Sequence, residues 1–141
     1  MKDAPSFFEL LDLRLLVETF CVRSLAASAS HRSFDRLKGC LVQMERSTGS
    51  LSRFGKKDIA FHLTLVEEAG HGLFSNIMRG LLPGLGVRFA LETYTEPKLI
   101  KKNLADHRAI FRHIQCGDSD AAEARLRIHL LRSRRHLESM L

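Results

Sequence analysis

The stretch from Asp106 to Leu130 reads DHRAIFRHIQCGDSDAAEARLRIHL. Ile110, Phe111 and Ile114 recur at helical spacing before a turn near Gly117–Asp118, and Ala122, Leu126 and Leu130 recur after it. The segment therefore predicts two antiparallel helices joined by a tight connection, with Asp118 as the N-cap of the second. Each helix places a histidine on the face it needs to bury. His107 falls among Ile100, Leu104, Ile110, Phe111 and Ile114, while Lys102, Arg112 and His113 point elsewhere. His129 shares its side with Ala122, Leu126, Leu130 and Met140. His107 lies ten residues before Gly117 and His129 eleven after Asp118. At about 1.5 Å of rise per residue, both stand about 15–17 Å from the turn and can meet at one point.

Apolar spacing is helical through nearly the whole chain, and strand-like alternation is absent. Six helices are predicted. The first runs from about Ser6, a plausible N-cap, to Ser28. The second starts after Ser33 and ends near Thr48–Gly49, and the third runs from about Leu51 to Ala69 and stops at Gly70. The fourth runs from near Gly72 towards Tyr94, with Pro83, Gly84 and Gly86 expected to kink or split it. The fifth starts around Pro97, a good first-turn residue, and ends at Cys116–Gly117; the sixth starts after Asp118 and runs almost to Leu141. Short connections imply an all-α, antiparallel bundle. GLLPGLG, residues 80–86, lacks the GK[ST] ending and the preceding strand of a phosphate loop, so it reads as a helix break.

The third helix carries the same anomaly as the hairpin. In DIAFHLTLV, residues 58–66, Asp58 and His62 share a side with Leu65, Val66 and Ala69, whereas Lys57, Thr64, Glu67 and Glu68 fall on the far side. A carboxylate inside an apolar stripe is costly unless it is paired or binds a metal. A single buried histidine is most simply a hydrogen-bonded core residue. Three histidines and an aspartate, all core-facing and two at matched height, read instead as a His3Asp cluster. Imidazole and carboxylate without thiolate suit a divalent transition metal, zinc first, with nickel, manganese, cobalt or iron(II) also compatible. His31, His113 and His136 read as surface residues, His136 near the apolar edge. Arg14 sits on the apolar face of the first helix with Phe7, Leu10, Leu11, Cys21 and Leu25, one turn before Glu18. It can pair with Glu18 and run its stem along the core, or face a pocket and fork onto a ligand carboxylate.

The bulk composition fits one domain: 141 residues, 45% hydrophobic and 27% charged. The formal charge is +6, but much of the excess lies in RLRIHLLRSRRH, KKD and LIKK at helical spacing, which reads as a solvated face. There is no recognisable helix-turn-helix, zinc finger or RNA-binding motif. No stretch approaches the roughly 18 uncharged apolar residues of a membrane span, and the first residues do not read as a secretory signal. Cys21, Cys40 and Cys116 are scattered, odd in number and without CxxC spacing. They read as free thiols in a reducing, cytoplasmic setting.

LDLRLLVE, then DIAFHLTLVEEAGHGLF, then DHRAIFRHIQCGDSDAAEARLRIHL together resemble the FCD domain, the effector-binding part of FadR-type GntR transcriptional regulators. The likeness runs from about Glu9 to Leu137. It implies an antiparallel bundle of six or seven helices around a pocket. It also implies a divalent metal held by the positions of Asp58, His62, His107 and His129, and a small carboxylate effector bound with the help of the motif arginine, Arg14. Asp106 stands where a glutamate usually precedes the histidine, and His71 stands where an asparagine is usual. His71 could therefore contact effector or simply start the fourth helix. Members of the family carry a winged helix-turn-helix ahead of this domain, and this sequence shows none. It reads as a single domain over residues 1–141, cut from a longer regulator or standing alone, that reaches DNA only through that missing domain and acts as a homodimer.

Three functions compete at this stage. A sensor would bind a small organic acid and bias one packing of the bundle. A metal-dependent, hydrolase-like enzyme would use the His3Asp site to activate water, but no carboxylate or histidine is obviously placed as its base, Glu18 and His71 being the residues left to consider. A structural metal would only hold the bundle together. The sensor is the expected function, and no catalytic residue is assigned.

Overall fold

The computed structural model describes the backbone of residues 4–93 and 97–140, and the side chains of residues 7–84 and 97–140. The described residues form six helices: α1 (Ala4–Ser28), α2 (His31–Glu45), α3 (Leu51–Glu68), α4 (Gly72–Thr93), α5 (Pro97–Gln115) and α6 (Ser119–Ser139).

Local chemistry sets most boundaries. Asp118 caps α6, its side chain accepting from the Ala121 N–H at 3.0 Å. Ser50 caps α3 by accepting from the Arg53 N–H. Gly70 ends α3 with φ +82°, and Gly117 ends α5 with φ +71°, a left-handed conformation that a Cβ disfavours. Two boundaries differ from the sequence expectation. The cap of α2 is Ser30, not Ser33, because Ser30 Oγ accepts from the Ser33 N–H. Ser33 lies one turn inside and donates instead to Glu68. Helix α1 begins at Ala4, so Ser6 lies within the helix rather than at its cap.

Helix α4 runs through Pro83 as one helix rather than splitting there. Proline costs the hydrogen bond to the carbonyl four residues back, here that of Arg79. Arg79 and Pro83 are both exposed, so water can take that carbonyl. Gly86 lies in the stretch whose side chains are not described, and Tyr94 lies outside the described residues.

Sequential helices pack as neighbours, α2 on α3, α3 on α4 and α5 on α6, and α1 closes the bundle against α6 and α3. The core holds Phe7, Val22, Leu25, Leu37, Met44, Phe54, Phe61, Leu65, Met78, Ile110, Ile114 and Leu126, all nearly without solvent exposure. Helix α3 is central, touching α1, α2 and α4. It therefore buries more than one stripe. Thr64, expected on the outer side, is buried against α2, donating to the Ala60 carbonyl and lying 3.4 Å from Cys40 Sγ. None of the described helices is long and apolar enough to cross a membrane. The three cysteines are free thiols, as expected.

Candidate metal centre

Helix α3 aims Asp58 and His62 into the bundle, one turn apart on the same face, and the α5–α6 hairpin brings His107 and His129 to meet them. All four are between 0 and 6% exposed. One ligand atom from each lies within 4.8 Å of the others. The matched height of the two hairpin histidines appears directly as a ring-centroid distance of 4.7 Å. The His62 and His129 rings stack nearly parallel, with centroids 5.6 Å apart.

The hydrogen bonds around the cluster fix which nitrogen faces inward. His107 Nδ1 lies 2.7 Å from the Asn103 carbonyl oxygen, which can only accept, so Nδ1 carries the proton. His129 Nδ1 donates to the Asp106 carboxylate at 3.2 Å. His62 Nδ1 donates to Glu18. Every ring thus spends its Nδ1–H on an outer acceptor, which leaves each Nε2 free to serve as a donor to a cation. His107 Nε2 lies 2.7 Å from Asp58 Oδ1 and 3.0 Å from His62 Nε2, and His62 Nε2 lies 3.2 Å from the same Asp58 oxygen. Ligand atoms bound at about 2.0–2.1 Å around one ion stand roughly 3.0–3.4 Å apart, close to the separations among Asp58, His62 and His107. Nitrogen lone pairs this near one another and a carboxylate require a cation among them, either a proton or a metal. The donor set fits a divalent metal, with the outer-acceptor pattern that metal-binding histidines use.

The charge balance agrees. Burial pushes the Glu18 carboxyl up, but Arg14 and His62 more than offset it and hold it at about 2. Burial acts the same way on Asp58, yet His107 and His62 bring it well below the usual carboxylate range. For His62, burial opposes the charge while Glu18 and Asp58 outweigh it and raise the pKa. His129 is held down to about 4, by burial first and by the neighbouring histidines, so its ring is neutral at ordinary pH.

Arg14 is 4% exposed and bonds Glu18 at 2.5 Å, the pairing that the spacing within α1 allowed. The space beside it, lined by Leu11, Arg14, Leu15, Leu130 and Ser133 among others, is about 10 Å3, room for one water. His71 stands outside the cluster. Its Nε2 lies 3.2 Å from Ser24 Oγ, its ring packs against Phe20 and Phe74, and its carbonyl accepts the Ser75 N–H at the start of α4.

Residue-by-residue reading missed two carboxylates as partners of the cluster. Glu18 was read only as a mate for Arg14 or a spare base, yet it orients His62. Asp106 was read as a mild departure, yet it orients His129 and also accepts from Arg132 at 2.8 Å and Arg125 at 3.3 Å. Its position beside His107 was the available signal, because adjacent helical residues point to different neighbours. The basic late helix is largely neutralised in place: Arg127 pairs with Glu123, and Arg134 with Glu138 and Asp12.

An all-helical bundle with a buried histidine–carboxylate cluster is the class of domain that the sequence motifs resembled. The chain belongs to the FCD domain family, whose sequence pattern matches residues 9–132. It is 31% identical over 121 residues to the HTH-type transcriptional repressor NanR of Cronobacter sakazakii, covering 84% of this chain and 46% of that protein. It is 32% identical to the NanR repressor of Escherichia coli K12 over the same length, covering 45% of that protein. The chain thus spans less than half the length of these relatives. The structure superposes on E. coli McbR/YncC with a TM-score of 0.85 at 11% identity, over 100% of this chain and 72% of the other, a likeness of fold.

Proposed function

We propose that this chain is the ligand-sensing domain of a GntR-type transcriptional regulator. In this reading it takes a small carboxylate effector at a divalent metal held by Asp58, His62, His107 and His129. The observation that carries the reading is the inward convergence of three Nε2 atoms and a carboxylate, each histidine backed by an outer acceptor. A bound metal would supply a Lewis-acid anchor for the effector carboxylate. Zinc suits the donor set best, and nickel, manganese, cobalt or iron(II) are compatible. Family membership and the transcriptional-repressor relatives support regulation rather than catalysis. The nearest basic candidate, Glu18, is already committed to Arg14 and His62, which speaks against the hydrolase-like alternative.

DNA would be contacted through a separate winged-helix domain, in a cytoplasmic protein. The regulator would act as a homodimer. Leu16, Phe20, Leu73 and Ile77 leave apolar surface on α1 and α4 that a second copy could cover.

The test is elemental analysis of the purified domain before and after chelation, run beside a thermal-shift screen of small carboxylic acids. One divalent metal per chain, with a melt raised by a particular acid only in the metal-loaded form, supports the sensor. A ligand at 100 times its dissociation constant adds about 2.7 kcal/mol, well within reach of a melt. Failure to take up metal on reconstitution refutes the metal site, and turnover of the acid refutes the sensor.

A further inference from the structure

The acceptors behind the three inward-facing histidines are not equivalent. Glu18 gives one oxygen to His62 and the other to Arg14. The neutral Asn103 carbonyl serves His107 at 2.7 Å. Asp106 divides itself differently. Its Oδ2 accepts from His129 at 3.2 Å and from Arg132 at 2.8 Å, so a ring and a guanidinium share one oxygen. Its Oδ1 accepts from Arg125 at 3.3 Å. The bond to His129 is the longest of the three outer bonds, and Arg132 holds the shared oxygen more closely than the ring does.

Helical spacing produces this arrangement. Arg125, His129 and Arg132 stand four and three residues apart on α6 and so fall on one stripe. Helix α5 packs against α6 and brings the buried Asp106 to that stripe. One carboxylate therefore meets an imidazole and two guanidiniums. Both arginine side chains are 39% exposed and that of Asp106 is 7% exposed, so the arginines reach the carboxylate from the solvent side. A carboxylate behind a metal-binding histidine makes the ring a stronger donor. A cation on the same oxygen draws off that charge. Arginine stays charged at any ordinary pH, so the competition is constant.

We infer that Arg132, seconded by Arg125, is a positioning residue that holds down the affinity of the metal centre by competing with His129 for Asp106. The inference rests on the metal reading above. Affinity is then set from the surface of α6, by two side chains that are not among the four donors. A centre held below the strength of its donors gives up its ion faster, which suits a domain whose occupancy follows the supply of divalent metal.

The test is competition for zinc between the domain and a chromophoric chelator, with urea unfolding of the chelated domain measured alongside. Arg132→Met should bind zinc about tenfold more tightly than the wild type, the low end of what an outer partner is worth. Arg125→Met should gain less, because Arg125 holds the other oxygen. Both variants should lower the stability of the chelated domain, since each loses an ion pair to Asp106. A purely structural role would move both readouts downwards, so opposite signs mark the competition. Arg132→Lys keeps a cation at the carboxylate and should return to the wild-type affinity. Arg127→Met removes the same charge from α6, but its partner is Glu123, and zinc affinity should stay unchanged. In the Asp106→Asn background, Arg132→Met should no longer tighten zinc. Unchanged or weaker zinc binding in Arg132→Met overturns the inference, as does an equal gain in Arg127→Met or in the Asp106→Asn background, and each of these leaves the metal reading standing. No zinc uptake by the wild-type domain overturns the metal reading itself.

Discussion

Glu18→Gln separates the two tasks assigned to one buried carboxylate. Glu18 is fully buried on α1, bonded to Arg14 on one side and to His62 Nδ1 on the other. Holding its carboxyl at about 2 instead of 4.5 corresponds to about 3 kcal/mol of preference for the ionised form, at about 1.4 kcal/mol per tenfold. Glutamine keeps the shape and can still accept from His62, but it removes the charge. Stability of the chelated domain should therefore fall by about 3 kcal/mol, because a buried guanidinium loses its carboxylate. Zinc affinity should fall separately, by about 10–100-fold, because His62 loses the acceptor charge that raises its basicity. Adding Arg14→Met should restore part of the stability by removing the buried cation, and should restore none of the affinity. Urea unfolding reads the first quantity, and competition with a chromophoric chelator reads the second. Wild-type zinc affinity in Glu18→Gln would refute the orienting role of Glu18. A double variant no more stable than Glu18→Gln would refute the charge-pair argument.

His107→Ala or His129→Ala should abolish stoichiometric metal and the metal-dependent rise in melting temperature; wild-type metal content in both would sink the cluster. Asp106→Asn should weaken zinc by about 10–100-fold through His129 while leaving the other three donors in place, as read by the same chelator competition. Acid should destabilise the chelated domain. Glu18 and Asp58 have folded pKa values below their unfolded ones, so their contribution is present above about 4.5 and is lost as pH falls towards 2. Stability that stays flat across that range in urea titrations would contradict this. Ser30→Ala should cost about 1 kcal/mol of stability in urea unfolding, since Ser30 caps α2, whereas a helix starting only after Ser33 would leave Ser30 silent.

The bundle and the inner cluster were legible because both follow from helical periodicity. Asp58, His62, His107 and His129 stand where an apolar residue would be cheaper, and a wheel shows that without any tertiary knowledge. Height along the hairpin was also legible, because rise per residue is nearly constant. What lay beyond reading was set by contacts between helices distant in sequence. Glu18 meets His62 across 44 residues, and no pattern within α1 announces that encounter. His136 reads as surface because the wheel places it at the apolar edge, yet its Nε2 is buried. The α2 boundary slipped for a smaller reason: Ser30 and Ser33 are both good caps, and which one wins depends on Glu68 of α3 holding Ser33 inside.

The outer partners of the cluster bear on how a sensor of this kind would transmit a signal. The four inner donors come from α3, α5 and α6. Their outer acceptors come from α1, through Glu18, and from α5, through the Asn103 carbonyl and Asp106. Helix α1 in turn packs along α6 and is tied to it at both ends, by Asp12 with Arg134 and by Arg23 with Asp120 and Glu123. In the proposed reading, an effector that redraws charge at the cluster changes the demand on Glu18, and so the hold of α1 on α3. Such an effector biases packing only to the extent that it binds one arrangement of these helices better than the other. The Glu18→Gln variant, which weakens the α1 link, should therefore reduce the coupling between metal and acid binding. Titrations of acid with and without zinc measure that coupling, and an undiminished value in Glu18→Gln would show that the signal does not pass through α1.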